Sequence, residues 1–233
     1  MQVIFNSYDS SFFKINIQTS VINTVVSLKD VLAAIPDKTN LITIVSSIEQ
    51  NHLKKYSVGK LNEYHTSFIN YRNKLERIRN RFPIVINQKI SSCNLKKIYA
   101  YSSKTRYSSE SKFDPQQVLD HKLKMISDYK IQGAFCSSFM ENEILVGFHL
   151  SNLDLENKIF LPYELIIDPK LRLGFLAISL LKESANYFQN KYENWHEFEV
   201  KTYIYSENKN SIKLFEGLGF KYTNSKYYYN LWI

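Results

Sequence analysis

Glycine is scarce, at six residues in 233, so neither a collagen-like repeat nor a glycine-rich linker architecture is open to this chain. Cysteine is scarcer still. Cys93 and Cys136 are too few for a disulfide framework, which points to a reducing compartment. No uncharged apolar run reaches the roughly 18 residues of a membrane-spanning helix. The opening MQVIFNSYDSS lacks the basic start and long apolar core of a signal peptide. Acidic residues are outnumbered, 22 against 30 Lys and Arg, which leaves a net charge of +8. That surplus favours an anionic partner: nucleic acid, a membrane surface or a phosphate-rich small molecule. What remains, 44% hydrophobic and 22% charged, is the composition of a globular protein of one large domain or two small ones, expected in the cytoplasm.

The first 80 residues read as a small α/β unit. A strand near Val3–Phe5 is followed by YDSSFF and by an apolar stretch, residues 13–26, that alternates in part. Ser27 caps a short helix, with Asp30 at the third helical position and Pro36 as its stop. Residues 41–45 read as a buried strand, and a helical turn at 52–56 leads into an alternating strand through Phe68. The stretch YRNKLERIRNRF, residues 71–82, is the most basic in the chain and the one place with local support for nucleic-acid binding. The interleaved aromatics that stack on bases are missing there, so a solvated linker or helix face competes with that reading.

From about residue 81 a second unit begins. It has a strand at 84–86, a helix opened by Ser91, and a helix opened by Asp114-Pro115, with Asp as cap and Pro at the first position. Strands follow at 133–140, 144–150 and 159–167, then a long helix over 172–192, a strand at 198–205, a helix at 208–217 and a closing aromatic strand at 226–232. That order defines an α/β (α+β) unit with a mixed sheet. Residues 52–71 loosely echo residues 212–231, a hint that the first unit is a broken repeat of the second.

Two segments carry chemistry. In ELIIDPKLRLGFLAISLL, residues 164–181, an apolar strand feeds through a Pro turn and Arg172 into a helix N-terminus. Backbone N–H groups and the helix dipole make such a junction suited to phosphate. In NKNSIKLFEGLGF, residues 208–220, a polar cap leads into a short helix that exits through Leu218, Gly219 and Phe220.

Both segments, in this order, resemble the GNAT superfamily of N-acetyltransferases. Its pyrophosphate loop, (Gln/Arg)-x-x-Gly-x-(Gly/Ala), is matched by Arg172-Leu173-Gly174-Phe175-Leu176-Ala177. Its later motif, Asn-x-x-Ala-x-x-x-Tyr-x-x-x-Gly-Phe, is matched by Asn208, Ser211, Phe215, Gly219 and Phe220. Phe175 stands where the loop usually has its first glycine, and Phe215 replaces the Tyr that often protonates the departing CoA thiolate. The resemblance implies a GNAT fold over residues 81–233 with a splayed central sheet, and acyl-CoA as co-substrate between strands 159–167 and 198–205. Leu165, Ile166, Ile167, the loop 172–177, Asn208, Ser211 and Phe215 would bind it, and no metal is implied. A homodimer is implied as well.

A narrower resemblance is to bacterial dTDP-fucosamine acetyltransferases, which place a small α/β domain ahead of a GNAT domain. It rests on Tyr8-Asp9-Ser10-x-Phe12-Phe13, on Lys104-Thr105-Arg106-Tyr107 and on Asp114-Pro115. It implies an amino sugar carried on a nucleoside diphosphate as acceptor, with an acetyl or longer acyl donor such as hydroxybutyryl. Two polyanionic substrates agree with the net charge of +8.

Under that reading Glu164 takes the amine proton and a backbone N–H at Leu165–Ile167 holds the oxyanion. A thiolate of pKa roughly 8.5 departs without an obligatory acid, although Tyr205 can assist. Arg106, Tyr107 and His149 are the acceptor-side candidates. Rival readings are a GNAT enzyme for another amine (a protein N-terminus, an aminoglycoside or a polyamine) and a basic nucleic-acid-binding module built on residues 71–82.

Overall fold

The structure, a computed structural model, describes residues 2–101, 112–131, 133–172 and 175–233. Three of the expected elements of the first unit form as read: β1 (Gln2–Phe5), α2 (Leu28–Ala33) and β3 (Leu41–Ser46). Ser27 closes a capping box with Asp30 on α2. The YDSSFF stretch is a helix, α1 (Ser7–Phe13), and not a turn entering a strand. Asn6 accepts a hydrogen bond from the Asp9 N–H at its start, and Lys14 ends it in the left-handed region at φ 56°. The strand that follows, β2 (Ile17–Ile22), is correspondingly shorter than the apolar stretch.

A 3₁₀ turn (Asn51–Tyr56) leads into β4 (Ser57–Ser67) and then α3 (Phe68–Glu76). The basic stretch is therefore half helix. Tyr71 and Leu75 of α3 are buried, and Arg72 lies over the Trp195 ring at 5.6 Å and bonds Gln189, so this segment packs on the body of the protein and is no free linker.

The remaining elements are β5 (Val85–Ile86), α4 (Ser92–Tyr99), α5 (Pro115–Ile131), β6 (Phe135–Glu141), β7 (Ile144–Asp154), β8 (Ile159–Ile167), α6 (Leu176–Lys191), β9 (Glu199–Tyr205), α7 (Lys209–Gly217) and β10 (Lys221–Trp232). Among the described residues, ten strands join one sheet in the order β1-β2-β3-β10-β4-β9-β8-β7-β6-β5. Pairing is parallel between β2 and β3 and between β8 and β9, and antiparallel elsewhere. The sheet thus runs across the expected boundary at residue 80, with β10 seated between β3 and β4. The two echoing segments each contain a strand, and these strands pair with each other, β4 with β10.

Helices cover both faces. On one, Phe68, Tyr71, Leu181 and Phe188 from α3 and α6 pack on Phe135, Phe160 and Val200. On the other, Ile98, Tyr99 and Ile126 from α4 and α5 pack on Phe148, Leu150 and Ile166. Phe160 and Ile166 lie on the same strand, an even number of residues apart, yet face opposite layers. The reason is a β-bulge. Register against β7 slips between Leu150↔Glu164 and Ser151↔Pro162, which inserts Tyr163 and flips the alternation beyond it. Glu164 and Ile166 consequently face α5 and α4, while Leu165 and Ile167 face α6. Among the described residues no helix is long and apolar enough to cross a membrane.

Candidate active site

The parallel partners β8 and β9 are paired as a ladder at their first residues, Ile159↔Glu199 and Phe160↔Val200, and the Thr202 hydroxyl still donates to the Pro162 carbonyl at 3.1 Å. Beyond that point they part, and the gap is a cavity of about 810 Å³. Its walls are Leu165–Ile167 of β8, Tyr205 at the end of β9, Ala177 and Ile178 in the first turn of α6, and Asn208 and Ser211 at the start of α7. Residues 57–60 of β4 close the far side. Three cations, Lys60, Arg172 and Lys213, face one carboxylate, Glu207, so the cavity is electropositive.

Arg172 is held at the mouth. Its guanidinium donates to the Ile167 carbonyl at 3.2 Å and to the Tyr101 carbonyl at 2.9 Å. The Asn208 side chain accepts from the Ser211 N–H at 3.2 Å and so caps α7. At α6 the capping residue Phe175 makes no side-chain bond to the first turn. The Arg81 guanidinium lies over the Phe175 ring at 4.3 Å.

A second cavity, of about 380 Å³, lies on the α5 side of the sheet. Val118, His121, Lys122, Met125 and Tyr129 line it from one face of α5, at the three- and four-residue spacing that puts side chains on a common stripe. Glu164 lines it from β8, and its carboxylate meets the Lys122 ammonium at 3.5 Å. Tyr205 borders both cavities. The two spaces adjoin along β8, where Glu164 belongs to one and Leu165 to the other.

The structure therefore brings Leu165, Ile166, Ile167, Arg172, Ala177, Asn208, Ser211 and Tyr205 to one cavity, with Glu164 on the next. It places the other candidates elsewhere. Leu176 and Phe215 are buried, Leu176 against Ile167 and Leu180, Phe215 against Phe220. Phe175 is on the surface beneath Arg81 and lines neither cavity. His149 is fully buried between β7 and α6, its Nδ1 at 2.9 Å from Ser184 Oγ, so it does not line the acceptor side. Burial holds its pKa down at about 3. Leu173, Gly174, Arg106 and Tyr107 lie outside the described residues.

Several lining residues carried no sequence signal. Gly59 and Lys60 sit in an alternating strand about 105 and about 150 residues from the two motifs, and the pairing of β4 with β9 and β10 brings them in. Lys213 is an exposed helix lysine by pattern. Asp9 entered only through the YDSSFF resemblance, nothing in the sequence tied His121 to it, and Tyr163, Tyr203 and Tyr228 read as strand aromatics.

Gly147 of β7 has a different task. A Cβ there would come within 2.9 Å of Leu176 Cδ2 and 3.1 Å of Leu180 Cδ1. The bare backbone lets the start of α6 lie close to the sheet, which sets where its first turn meets the cavity.

No family model matches the sequence, and no curated protein matches it. Solved structures do resemble it. A protein of unknown function from Staphylococcus epidermidis superposes with a TM-score of 0.62 at 14% identity, over 93% of this chain and 83% of that one. A tandem GNAT protein from the clavulanic acid biosynthesis pathway gives 0.57 at 10% identity, over 84% and 65%. A GCN5-related N-acetyltransferase from Sphaerobacter thermophilus gives 0.51 at 11% identity, over 88% and 64%. The chain spans a little under two thirds of the latter two proteins. The fold is the GNAT fold, with a mixed sheet splayed between β8 and β9.

Proposed function

We propose that the protein is an acyl-CoA-dependent N-acyltransferase. The observation that carries this reading is the electropositive cavity opened by the parting of β8 and β9, beside the start of α6. The pantetheine arm of CoA is long, narrow and flexible, and the pyrophosphate that joins it to the nucleotide carries the charge. Backbone N–H groups at a helix start, together with Arg172, Lys60 and Lys213, supply what such a ligand requires.

The thioester would lie by Leu165–Ile167, where a backbone N–H holds the developing oxyanion. The amine arrives from the second cavity, past Glu164. Its nitrogen attacks the carbonyl carbon, the C–S bond breaks, and Tyr205, on the border of the two cavities, stands near the departing thiolate. For the acceptor, the finer reading is an amino-deoxy sugar on a nucleoside diphosphate, probed first as the dTDP form. The second cavity supports a sugar ring with Tyr129, Tyr163, Tyr203 and Tyr228 as stacking surfaces, and with carboxylates and lysines as partners for hydroxyl groups. Acetyl is the default donor.

Calorimetric titration with acetyl-CoA at two salt concentrations, with a random oligonucleotide as control, tests this reading. Saturable binding of acetyl-CoA that weakens with salt is expected, with little affinity for the oligonucleotide. Oligonucleotide binding without acetyl-CoA binding would transfer the case to the nucleic-acid reading. Arg172→Ala is expected to weaken acetyl-CoA about tenfold, the size of one lost charge-assisted hydrogen bond, and to flatten the salt dependence. Glu164→Gln is expected to lower turnover at neutral pH at least about tenfold while acetyl-CoA affinity stays within about twofold. Equal losses in both would place Glu164 in acyl-CoA binding instead.

A further inference from the structure

The alternation of β9 buries Val200, Thr202 and Ile204 and turns Lys201, Tyr203 and Tyr205 to the other face, where all three line the second cavity. β4 and β10 continue that face. Leu61 of β4 pairs with Tyr205 on one side and with Lys226 on the other, and paired residues point the same way. Lys226 therefore stands at the rim of the cavity, beside Leu61 and two residues from Tyr228, both of which line it.

Lys226 is half-buried, yet among the described residues no carboxylate lies within ion-pair distance of its ammonium. It rests instead over the Tyr203 ring, 5.4 Å from the centroid. Burial, then the charge of Glu63 and a hydrogen bond to it, push the Tyr203 hydroxyl up to about 12, so the ring under Lys226 stays uncharged at neutral pH. Glu63 is turned to Tyr203 and to the Thr223 hydroxyl, 3.3 Å from its Oε1. The Lys201 ammonium has Glu199 at 3.8 Å, on a side chain 54% exposed at the end of β9 away from the cavity. Inside the cavity the carboxylates already have neighbours, His121 for Asp9 and Lys122 for Glu164. A positive charge half removed from water and lacking a counter-charge is costly until an anion arrives.

We infer that Lys226 and Lys201, with Tyr203 positioning Lys226, form a phosphate subsite, so that the acceptor carries a phosphate group beyond its amine; this rests on the acyltransferase reading above. The spacing agrees. Lys201 is four residues from Tyr205 along β9, about 13 Å, and Lys226 is two strands away from it, about 10 Å. The thioester end lies by Tyr205, so a phosphate on these lysines is a group separate from the reacting nitrogen, with room for a sugar ring between them. A Lys ammonium takes phosphate as a point charge and does not fix its orientation. That chemistry is shared by a nucleoside diphosphate and a simple sugar phosphate.

The test uses the full chain with CoA at saturation, which fills the large cavity, and calorimetric titration with two pairs of probes. These are dTDP against thymidine, and glucosamine 1-phosphate against glucosamine. A phosphorylated probe is expected to bind at least about tenfold tighter than its bare counterpart. A preference confined to dTDP assigns the phosphate to a nucleotide, and one confined to glucosamine 1-phosphate assigns it to the sugar itself; a preference in both pairs assigns it to any phosphate ester at that place. Lys226→Gln is expected to lose about tenfold for the phosphorylated probe and to flatten its salt dependence, with a smaller loss in Lys201→Gln. Acetyl-CoA affinity is expected to stay within about twofold in both. Tyr203→Ala is expected to cost about threefold and Tyr203→Phe nothing, because the ring and not the hydroxyl seats the ammonium. Equal binding of phosphorylated and bare probes, no binding of any probe, or lysine variants that bind like the wild type would overturn the inference. A doubled mass in light scattering that Tyr203→Ala reverses would give this face to a second copy of the chain and overturn it too. Absence of acetyl-CoA binding would instead bring down the acyltransferase reading itself.

Discussion

Acidification from pH 7 to pH 5 is expected to cost the folded protein about 2 kcal/mol through His149 alone, at about 1.4 kcal/mol per pH unit once below its unfolded pKa. The Ser137 hydroxyl donates to the Leu180 carbonyl at 2.9 Å, and the Ser184 hydroxyl donates to Ser137 Oγ at 3.0 Å. With its one hydrogen so used, Ser184 Oγ accepts from His149, which must carry its hydrogen on Nδ1. Nε2 then presents a lone pair to a buried space with no hydrogen-bond partner among the described residues. Protonating it would place an unpaired charge between β7 and α6, and burial accordingly depresses the pKa from 6.5 to about 3. Between those values the unfolded chain binds the extra proton and the folded one does not. Stability is therefore complete above about pH 6.5, falls as pH drops toward 3, and loses nothing further from this group below that. Denaturant titrations from pH 4.5 to 8, on the wild type and His149→Gln, isolate the effect as the difference between the two curves. A difference that stays constant with pH would mean that His149 is charged or solvated in the fold.

Gly59→Ala is expected to lower acyl transfer about a hundredfold and to destabilise the protein by about 1–3 kcal/mol. Gly59 sits at φ 153°, where side chains are strained, and a Cβ would stand 2.6 Å from Tyr205 Cε1 and 3.0 Å from Cδ1. The ring has to move, and it borders both cavities. A double variant, Gly59→Ala with Tyr205→Ala, removes the clash. It is expected to regain part of the lost melting temperature and none of the activity, a non-additive pattern that reports direct contact. If Gly59→Ala melts and turns over like the wild type, Tyr205 does not depend on this glycine for its place.

Most elements could be read along the chain because their signals are local. Ser27 with Asp30, Ser91, and Asp114 before Pro115 each cap the helix they announce. The run Ile159–Ile167 is a strand with the bounds its apolar residues suggest. The YDSSFF helix was hidden because its cap, Asn6, precedes the stretch and its seven residues give too little periodicity to judge. The long helix starts at Leu176 and not at residue 172, since Asp168 and Pro169 first close a separate 3₁₀ turn. At the site, the segments with their own chemistry, 165–167, 172 and 208–211, were legible. The bulge at Tyr163, which decides that Glu164 faces α5, leaves no mark in composition. The partners of Asp9 and His121 were out of reach, because 112 residues separate two side chains that meet at 2.7 Å.

The seat of β10 between β3 and β4 also sets a timetable for synthesis. β3 is complete at residue 46 and β4 at residue 67, yet the strand that joins them begins at residue 221. On the ribosome both present unpaired edges until the last element of the sheet has emerged. At about 5–20 residues per second, that leaves β3 and β4 waiting for their shared partner on the order of ten seconds. Final closure of the sheet, and with it the wall of the large cavity supplied by β4, waits on β10.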